Sequence, residues 1–370
     1  MKIIGIETIP VLVPINPARA IKGSSGYHTE SPFLLVKVHT DEGITGLGEV
    51  SCTPRWSGED NVTASHFIKS IVAPLLEGRE PGQIEQLTSL MNGALPNNAF
   101  TKSGIEMALW DIAGKAAGQP LYRLLGGPVR EFVPTKFSIS GLEPDSSAGI
   151  AMWAYEQGFR SMKVKVGIEP IQDIARVAAV REAIGPDVRL GVDANGGWSV
   201  PTAVETIRRV EELGVFFAEQ PVSPSNVNDL AEVRRHVNIP IMADESVYSP
   251  KDASNVIRAA AADILSVYVG KGGIGQARKI AAIAQAAGIT CTVGSNLELG
   301  VGAAAMIHLA MSTSGIDAET YPCDILTPFY YDESLLMEPL DIGAGYARPP
   351  EKPGLGVELD EKVVRKYRVD

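Results

Sequence analysis

Apolar and polar residues follow two different patterns along this chain, and the change comes near residue 131. In residues 1–130 the pattern switches between alternation and helical spacing without a fixed period, which predicts a mixed α+β region. Its predicted strands are Lys2–Val13, Phe33–Thr40 and Ile44–Glu49, and its predicted helices are Asn61–Leu76, Gln83–Met91 and Lys102–Leu125. Two loops rich in glycine, serine and proline, residues 18–27 and 51–60, flank these strands.

From residue 131 onward, short apolar strands alternate with amphipathic, alanine-rich helices. The predicted strands are Thr135–Ser140, Met162–Val166, Arg189–Asp193, Phe216–Glu219, Ile241–Asp244, Ile264–Val269, Thr290–Val293 and Asp317–Glu319. Eight strands at this spacing favour a TIM-like barrel over a Rossmann sheet. The repeat is lost after residue 327, and we expect the tail to pack back on the N-terminal region. The chain is thus divided into residues 1–130, 131–327 and 328–370.

Composition restricts the class of protein. The hydrophobic content of 45% and charged content of 21% are typical of a soluble enzyme, and the net charge of −11 argues against nucleic-acid binding. Cys52, Cys291 and Cys323 lack CxxC spacing, which indicates a reducing cytoplasm and argues against a disulfide scaffold. The first residues read as a strand rather than a signal peptide, and no apolar stretch approaches membrane-spanning length.

Three acidic residues end successive predicted strands. Asp193, Glu219 and Asp244 are separated by 26 and 25 residues, about the length of one strand plus one helix. In a parallel barrel this spacing brings the three carboxylates together at the C-terminal face, where active sites lie. Their mutual repulsion is relieved by a hard divalent cation, and oxygen-only ligation favours Mg²⁺, with Mn²⁺ as the alternative. Helix caps or strand-end salt bridges are the competing interpretation.

A lysine pair precedes the acids by one unit. Lys163 and Lys165 share one face of a strand, with apolar residues on the other, so both are expected to point into the barrel. Their spacing of roughly 6.6 Å gives a repulsion of roughly 2.5 kcal/mol at an effective dielectric of about 20. One lysine could therefore be neutral near pH 7 and act as a general base. The alternative is an edge strand with a solvated lysine face.

A base beside a metal ion defines a reaction class. The ion binds a substrate carboxylate, the lysine removes the proton from the adjacent carbon, and the ion stabilises the resulting enediolate. The partner is then a small-molecule carboxylate.

These motifs resemble the enolase superfamily, in its muconate-lactonizing (mandelate racemase/muconate cycloisomerase-like) subgroup. The matching segments are Lys163–Lys165, Val192–Asn195, Ala218–Pro221, Ala243–Ser246, the helix from Gly104 to Gly114 with its continuation to Gly127, and the tail Pro353–Asp360. The resemblance implies an α/β fold, a modified TIM barrel (β/α)₇β with an N-terminal α+β capping domain completed by the C-terminal tail. Loops 18–27 and 51–60 stand where substrate-specificity loops are expected.

The resemblance also implies roles for individual residues. Lys165 is the expected base and Lys163 its charge-tuning neighbour; Asp193, Glu219 and Asp244 are the expected Mg²⁺ ligands; Asn195 and Glu245 support them; and Glu319 hydrogen-bonds the enediolate. One departure concerns the sixth strand, where the subgroup usually carries a second lysine. Here that position holds Tyr268, and Lys271 follows three residues later. Because a tyrosine with a pKa near 10 is a poor base at neutral pH, we expect proton transfer on one face of the substrate.

Other candidate residues leave alternatives open. Tyr27 and Trp56 could cover the substrate or simply pack, Ser295 and Glu298 follow the seventh strand and could face the pocket or cap a helix, and His28 is expected to be exposed. The segment Gly270–Gly275 matches G-x-G-x-x-G but lacks the acidic residue of a dinucleotide site. It is interpreted as a tight barrel loop or as a cradle for a distal anionic group of the substrate.

The sequence therefore predicts a Mg²⁺-dependent enzyme acting next to a carboxylate, most concretely a muconate-type cycloisomerase. The alternatives are a dehydratase of a hydroxy or sugar acid, then a racemase or epimerase, and, outside enzymes, a catalytically silent binding barrel. The cysteine pattern indicates a cytoplasmic protein, and by analogy with the family we expect a homo-oligomer.

Overall fold

The computed structural model describes residues 1–369. Its strands are β1 (Ile3–Pro14), β2 (Ile21–Gly23), β3 (Gly26–His28), β4 (Glu30–Thr40), β5 (Thr45–Ser51), β6 (Val133–Pro134), β7 (Phe137–Ile139), β8 (Ser161–Lys165), β9 (Arg189–Asp193), β10 (Val215–Glu219), β11 (Ile241–Ala243), β12 (Ile264–Val267), β13 (Thr290–Val293), β14 (Ile342–Gly343) and β15 (Tyr346–Ala347). No helix in this range is both long enough and apolar enough to cross a membrane.

The helices begin after the first meander and then alternate with the strands of the barrel. They are α1 (Pro54–Ser57), α2 (Asn61–Phe67), α3 (Ala73–Leu76), α4 (Ile84–Ala94), α5 (Ala99–Ala117), α6 (Leu121–Leu124), α7 (Pro144–Gln157), α8 (Pro170–Ile184), α9 (Val200–Glu211), α10 (Val227–His236), α11 (Pro250–Arg258), α12 (Ile274–Ala286), α13 (Gly300–Ser312), α14 (Thr327–Tyr330) and α15 (Glu361–Tyr367). A π-helical turn at Ile68–Val72 joins α2 to α3, and 3₁₀ turns occupy Pro17–Arg19 and Val269–Lys271.

The N-terminal region is an antiparallel sheet of β1, β4 and β5 with helices packed on one face. Helix α5 lies directly on β5 because two glycines leave room for its backbone. A Cβ on Gly46 would lie 2.1 Å from the carbonyl oxygen of Ala108, and one on Gly48 would lie 1.8 Å from that of Gly104. The tail returns to this sheet, where the amide of Val369 donates to the carbonyl of Pro10 in β1.

Strands β7 to β13 form the parallel sheet of the barrel, in chain order. Lys165 of β8 pairs with Asp193 of β9, which pairs with Glu219 of β10, so these three residues stand at one height. An apolar layer closes the barrel interior near Phe217 and Met242. The helices cover the outside, and the C-terminal strand ends open toward the N-terminal region.

The barrel closes through isolated bridges rather than through a regular eighth strand. Ile316 bridges to Cys291 of β13, Cys323 bridges to Thr135 beside β7, and the amide of Asp324 donates to the carbonyl of Val293. The strand predicted at residues 317–319 is therefore wrong, and the strand predicted at 135–140 is reduced to Phe137–Ile139. The segment from Ile316 to Cys323 contacts β13 at one end and the residues before β7 at the other, so it has no continuous strand pairing.

Two further elements differ from the prediction. The long helix expected over residues 102–125 is interrupted, because Gly118 adopts a left-handed cap at φ 64° and Pro120 follows two residues later. The loop at residues 18–27 contains a hairpin, β2–β3, that lies over the barrel mouth: Ser24 Oγ donates to the carbonyl of Asn195 at 3.0 Å. The overall architecture is nevertheless the predicted modified TIM barrel with an N-terminal α+β capping region.

Candidate active site

The two lysines of β8 enter a cavity at the C-terminal end of the barrel. This cavity has an empty volume of about 750 Å³, open mouth included, and is also lined by the three acids of β9, β10 and the end of β11. Lys165 Nζ donates to Asp193 Oδ2 at 2.7 Å and to Asn195 Oδ1 at 2.9 Å. Lys163 lies deeper, and Lys165 keeps 16% of its side chain exposed. The lysine face therefore points inward rather than to solvent.

Lys163 is an ammonium group enclosed by carboxylates. Its Nζ lies 2.8 Å from Glu219 Oε2, 3.0 Å from Asp324 Oδ2 and 3.1 Å from Asp193 Oδ2. Burial works against its charge, but the surrounding carboxylates raise the pKa of Lys163 well above its ordinary value. The repulsion expected between the lysines is thus outweighed at Lys163, which stays protonated. This leaves Lys165 as the candidate base.

The carboxylate set fits a divalent cation in charge and in donor chemistry. Asp193, Glu219 and Asp244 are buried oxygen donors from adjacent strands, the ligand type of Mg²⁺. Burial, reinforced by Asp193 and Asp244, raises the pKa of Glu219 to about 8, and a cation bound here would favour its ionised form. Within residues 1–369 no three acidic, histidine or cysteine side chains are arranged to hold a metal ion, and each of these three carboxylates is paired with a lysine. An ion at this site would compete with those ion pairs.

Two predicted supporting residues lie beside the acids. Asn195 Nδ2 donates to Glu245 Oε1 at 2.9 Å, and Asn195 also accepts from Lys165, so it connects the base to Glu245. Burial, with the neighbouring Asp244 and Asp193, raises the pKa of Glu245 to about 7. Trp56 lines the cavity, and its indole N–H lies 3.3 Å from the same oxygen of Glu245.

Asp324 is a cavity residue that sequence reasoning missed. Its carboxylate accepts hydrogen bonds from Lys163 Nζ and, at 3.2 Å, from Ser138 Oγ. It also lies 3.1 Å from Nζ of the buried Lys136. Glu319, predicted for this part of the site, is 60% exposed and pairs with Arg130 at 3.1 Å. The prediction for Glu319 is wrong in position because the closing segment reaches the cavity at residue 324. The sequence signal available for Asp324 was an acidic residue directly after Cys323, in the segment that closes the barrel.

The sixth-strand side of the barrel mouth is aromatic. Lys271 Nζ donates to Asp244 Oδ1 at 2.5 Å and to the Asp244 carbonyl at 2.6 Å, with the Tyr268 ring 4.7 Å away. The Tyr268 hydroxyl is buried without a hydrogen-bond partner in the described residues, and its ring packs 5.6 Å from that of Trp56. Burial and nearby carboxylates raise the pKa of Tyr268 well above its ordinary value. Neither Tyr268 nor Lys271 lines the cavity that contains Lys165.

The candidate substrate loops divide into residues inside and outside the cavity. Tyr27 is 56% exposed and does not line it, whereas the adjacent His28, expected to be exposed, does. Ser295 lines the cavity and donates to Glu298 Oε2 at 2.7 Å. Glu298 is buried behind it and also accepts from the amide of Asn296.

The glycine-rich turn at residues 270–275 is already occupied by the protein. Glu106 of α5 accepts from the amides of Ile274 and Gly275, both at 2.8 Å. A Cβ on Gly273, where φ is +98°, would lie 2.6 Å from this carboxylate. The turn therefore anchors the capping region to the barrel and has no room for a substrate anion.

Comparison with protein families matches both parts of the chain. The family described as mandelate racemase/muconate lactonizing enzyme, N-terminal domain, matches residues 4–126. The family described as enolase C-terminal domain-like matches residues 148–363. Both matches agree with the resemblance carried by the lysine and acid motifs.

Similar proteins cover the chain almost completely. Muconate cycloisomerase 1 of Rhodococcus opacus is 34% identical, over 99% of this chain and 98% of its own length. The L-Ala-D/L-Glu epimerase of Bacillus subtilis is 34% identical, over 96% and 97%. The crystal structure of the N-succinyl Arg/Lys racemase of Bacillus cereus superposes with a TM-score of 0.95 at 32% identity, covering 100% of this chain and 99% of that one. The chain is therefore an enzyme of the enolase superfamily and belongs to its mandelate racemase/muconate-lactonizing group.

Proposed function

We propose that this enzyme transfers a proton to or from the carbon next to a carboxylate, on one face of the substrate, and that Lys165 carries the proton. The supporting observation is the asymmetry of the barrel mouth: an accessible lysine on β8 faces the cavity, and the sixth strand supplies no base there. The first candidate reaction is a muconate-type cycloisomerisation, the activity for which the Rhodococcus opacus relative is named.

Asp193, Glu219 and Asp244 are the residues proposed to hold Mg²⁺, or Mn²⁺ in its place. When bound, such an ion supplies positive charge beside the substrate carboxylate and so favours the enediolate. The remaining work falls to side chains of the protein. Asn195 accepts from Lys165 Nζ at 2.9 Å and orients it, and Lys163 adds a permanent positive charge at the floor of the cavity.

The chemical steps need only one face. In the lactone-opening direction, the α C–H bond breaks and its proton passes to Lys165 Nζ. The electron pair then forms the α,β double bond as the β C–O bond breaks and releases a carboxylate. The lactone-forming direction is the reverse, with Lys165 delivering the proton.

Racemisation by two bases is disfavoured by the state of Tyr268. A two-base racemase needs a proton acceptor on each face of the α-carbon. Tyr268 stays protonated because burial and nearby carboxylates raise its pKa, and the ring of Trp56 packs against it. The racemase and epimerase relatives share the fold with this chain, but the chemistry of its sixth-strand side favours a different reaction.

A dehydratase is the second candidate, and the observation that favours it is His28. Dehydration uses the same α-proton removal by Lys165, followed by loss of a β-hydroxyl that leaves as water after taking up a proton. His28 lines the cavity and can donate that proton when its ring is protonated; because burial and the nearby Lys165 lower the pKa of His28, this contribution should grow as the pH falls.

The test is solvent deuterium uptake at the α-carbon across a panel of small carboxylates, followed by NMR with Mg²⁺ present. Lys165→Ala should lower exchange and turnover by a factor on the order of 10²–10⁴. Lys279→Ala, at an exposed surface pair, is the matched control and should leave both unchanged. A fall of only a few-fold would remove Lys165 from this role. Exchange of both enantiomers of one substrate would contradict one-face transfer.

A further inference from the structure

We infer that the substrate carries a single carboxylate and that the rest of it bears no negative charge. The inference rests on the proposed function, because it assumes that one carboxylate binds beside the acid cluster. It goes further by assigning the charge of the distal part of the substrate. Two features of the remaining cavity wall carry it: no cationic side chain lines it, and its hydrogen-bond donors are largely occupied by the protein.

Under the proposed function, the substrate carboxylate binds at the floor of the cavity, beside the β8 lysines and the three proposed ion ligands. A second carboxylate would have to bind elsewhere in the cavity, and an anion that finds no cationic or hydrogen-bonding partner in a partly buried site is strongly unfavourable.

The distal wall of the cavity is neutral. Apart from the charged cluster, it is lined by small, apolar or uncharged polar side chains, among them Ile21, Ser25, Thr53, Trp56, Leu297 and Leu326. Among the described residues, no lysine or arginine other than the β8 pair lines this cavity. A distal carboxylate would therefore find no cationic partner.

Hydrogen-bond donors on this wall are also largely taken. Ser295 Oγ donates to the carboxylate of Glu298, and Asn296 Nδ2 donates to Ser51 Oγ at 2.5 Å. The positive end of α13, which begins close by, is capped by Glu49, which accepts from the amides of Leu299 and Gly302. The protein has thus occupied these donors with its own side chains, and a second anion would find few free hydrogen-bond donors on this wall.

Two basic residues near the cavity do not supply such a cationic partner. Arg55 is exposed and does not line the cavity; it donates to the carbonyl of Ser25 at 3.4 Å. His28 lines the cavity, but burial and the nearby Lys165 lower the pKa of His28, so its ring is neutral at pH 7. A neutral imidazole suits a hydroxyl, amide or ring oxygen better than a carboxylate.

The inference narrows the candidate substrates. A hydroxy acid or zwitterionic acid with one net carboxylate at the ion fits. In a cycloisomerisation, the lactone fits better than the open dicarboxylate, because ring closure removes one of the two negative charges. This chain can thus share a mechanism with the relatives named as muconate cycloisomerases and still bind a different substrate.

The test uses ligands that differ in tail charge but hardly in shape. Isothermal titration calorimetry of the Mg²⁺-loaded enzyme with monomethyl succinate and with succinate should give at least tenfold tighter binding of the monoester. Equal or tighter binding of succinate would overturn the inference. This readout does not require turnover, so it remains decisive if no α-proton exchange is found, a result that would instead sink the proposed function.

A gain-of-charge variant sharpens the test. Ser25 lines the cavity from an exposed position on the β2–β3 hairpin, so its replacement should not disturb the core. Ser25→Lys should tighten succinate binding about fivefold or more and leave the monoester unchanged, while Ser25→Gln should change neither. No gain for succinate in Ser25→Lys would mean that tail charge does not limit binding, and the inference would fail.

Discussion

The two sides of the barrel mouth satisfy buried charge in different ways. On the β8–β10 side, Lys163 is shared by three carboxylates, and Lys165 reaches the cavity from the same strand. On the sixth-strand side, Lys271 is bound to the outer side of the site at Asp244, within a group of aromatic rings, and does not itself line the cavity. The β8–β10 side thus combines a protonated lysine with an accessible one. The sixth-strand side instead packs its lysine among aromatic rings.

This difference shows how a barrel built from similar strand–helix units can present a base to only one face of its substrate. Each strand end could in principle present a base, but a lysine acts as one only where it faces the substrate. Lys271 has the right chemistry in the wrong orientation, and Tyr268 has the right position with a hydroxyl that stays protonated. Substituting residues on each side in turn tests this difference between the two sides of the barrel mouth.

The largest effect is expected from Lys163→Met. This change leaves buried carboxylates without their shared cation, so the free energy of unfolding should fall by about 3–5 kcal/mol in the absence of added metal. Chemical denaturation at pH 7 measures it. Lys165→Met is the matched control, with a smaller loss expected because Lys165 is partly exposed and bonded to one carboxylate. A loss under about 1 kcal/mol for Lys163→Met would refute the shared-charge picture.

Asp324→Asn tests the residue that the closing segment brings to the site. It removes the carboxylate that holds Lys163 and Lys136, and we expect a loss of about 3 kcal/mol in the free energy of unfolding together with slower proton exchange. Glu319→Gln is the surface counterpart. Because Glu319 is exposed and pairs with Arg130 at the surface, its loss should stay below about 1 kcal/mol. A larger loss in the free energy of unfolding for Glu319→Gln than for Asp324→Asn would mean that Glu319, and not Asp324, acts at the site.

Lys271→Met should have an intermediate effect. The variant leaves the Asp244 carboxylate and carbonyl without their charged donor, which costs about 2 kcal/mol in the free energy of unfolding. The α-proton exchange rate should fall less than in Lys165→Ala, because Lys271 does not face the cavity. Single-turnover exchange measured on both variants decides this. An equal loss in both would indicate that Lys271 moves into the site during the reaction.

Tyr268→Phe should have the smallest effect. Its hydroxyl makes no hydrogen bond within residues 1–369, so the free energy of unfolding should change by no more than about 0.5 kcal/mol. The exchange rate should change by less than about threefold, which corresponds to under 1 kcal/mol of barrier. A fall of about 100-fold or more would show that Tyr268 takes part in proton transfer, and the one-sided description would have to be abandoned.

Much of the barrel followed from the sequence because its repeat is regular. The strand–helix period brought Asp193, Glu219 and Asp244 to one cavity, and strand alternation put both β8 lysines on the inner face. The family and the fold class inferred from these motifs are confirmed by the family matches and the structural neighbours. The roles of the individual site residues remain predictions for the experiments above.

Positions outside the regular repeat could not be predicted. Alternation along β3 separates Tyr27 from His28, but which of them faces the barrel depends on how the hairpin lies on it. The turn at Gly273 resembled an anion cradle until the fold brought Glu106 to it from the capping region. Such contacts join residues far apart in the chain, and a local pattern carries no information about them.

The sequence by itself determined the barrel period, the inward lysine pair and the carboxylates of three successive strands, because backbone geometry fixes the positions of side chains within a regular repeat. Tertiary structure decided that Asp324 rather than Glu319 reaches the cavity, that Lys271 binds Asp244, and that the distal wall carries no cation. The reason is that an irregular closing segment, a 3₁₀ turn and a hairpin lid have orientations set by packing against distant parts of the chain rather than by their own residues.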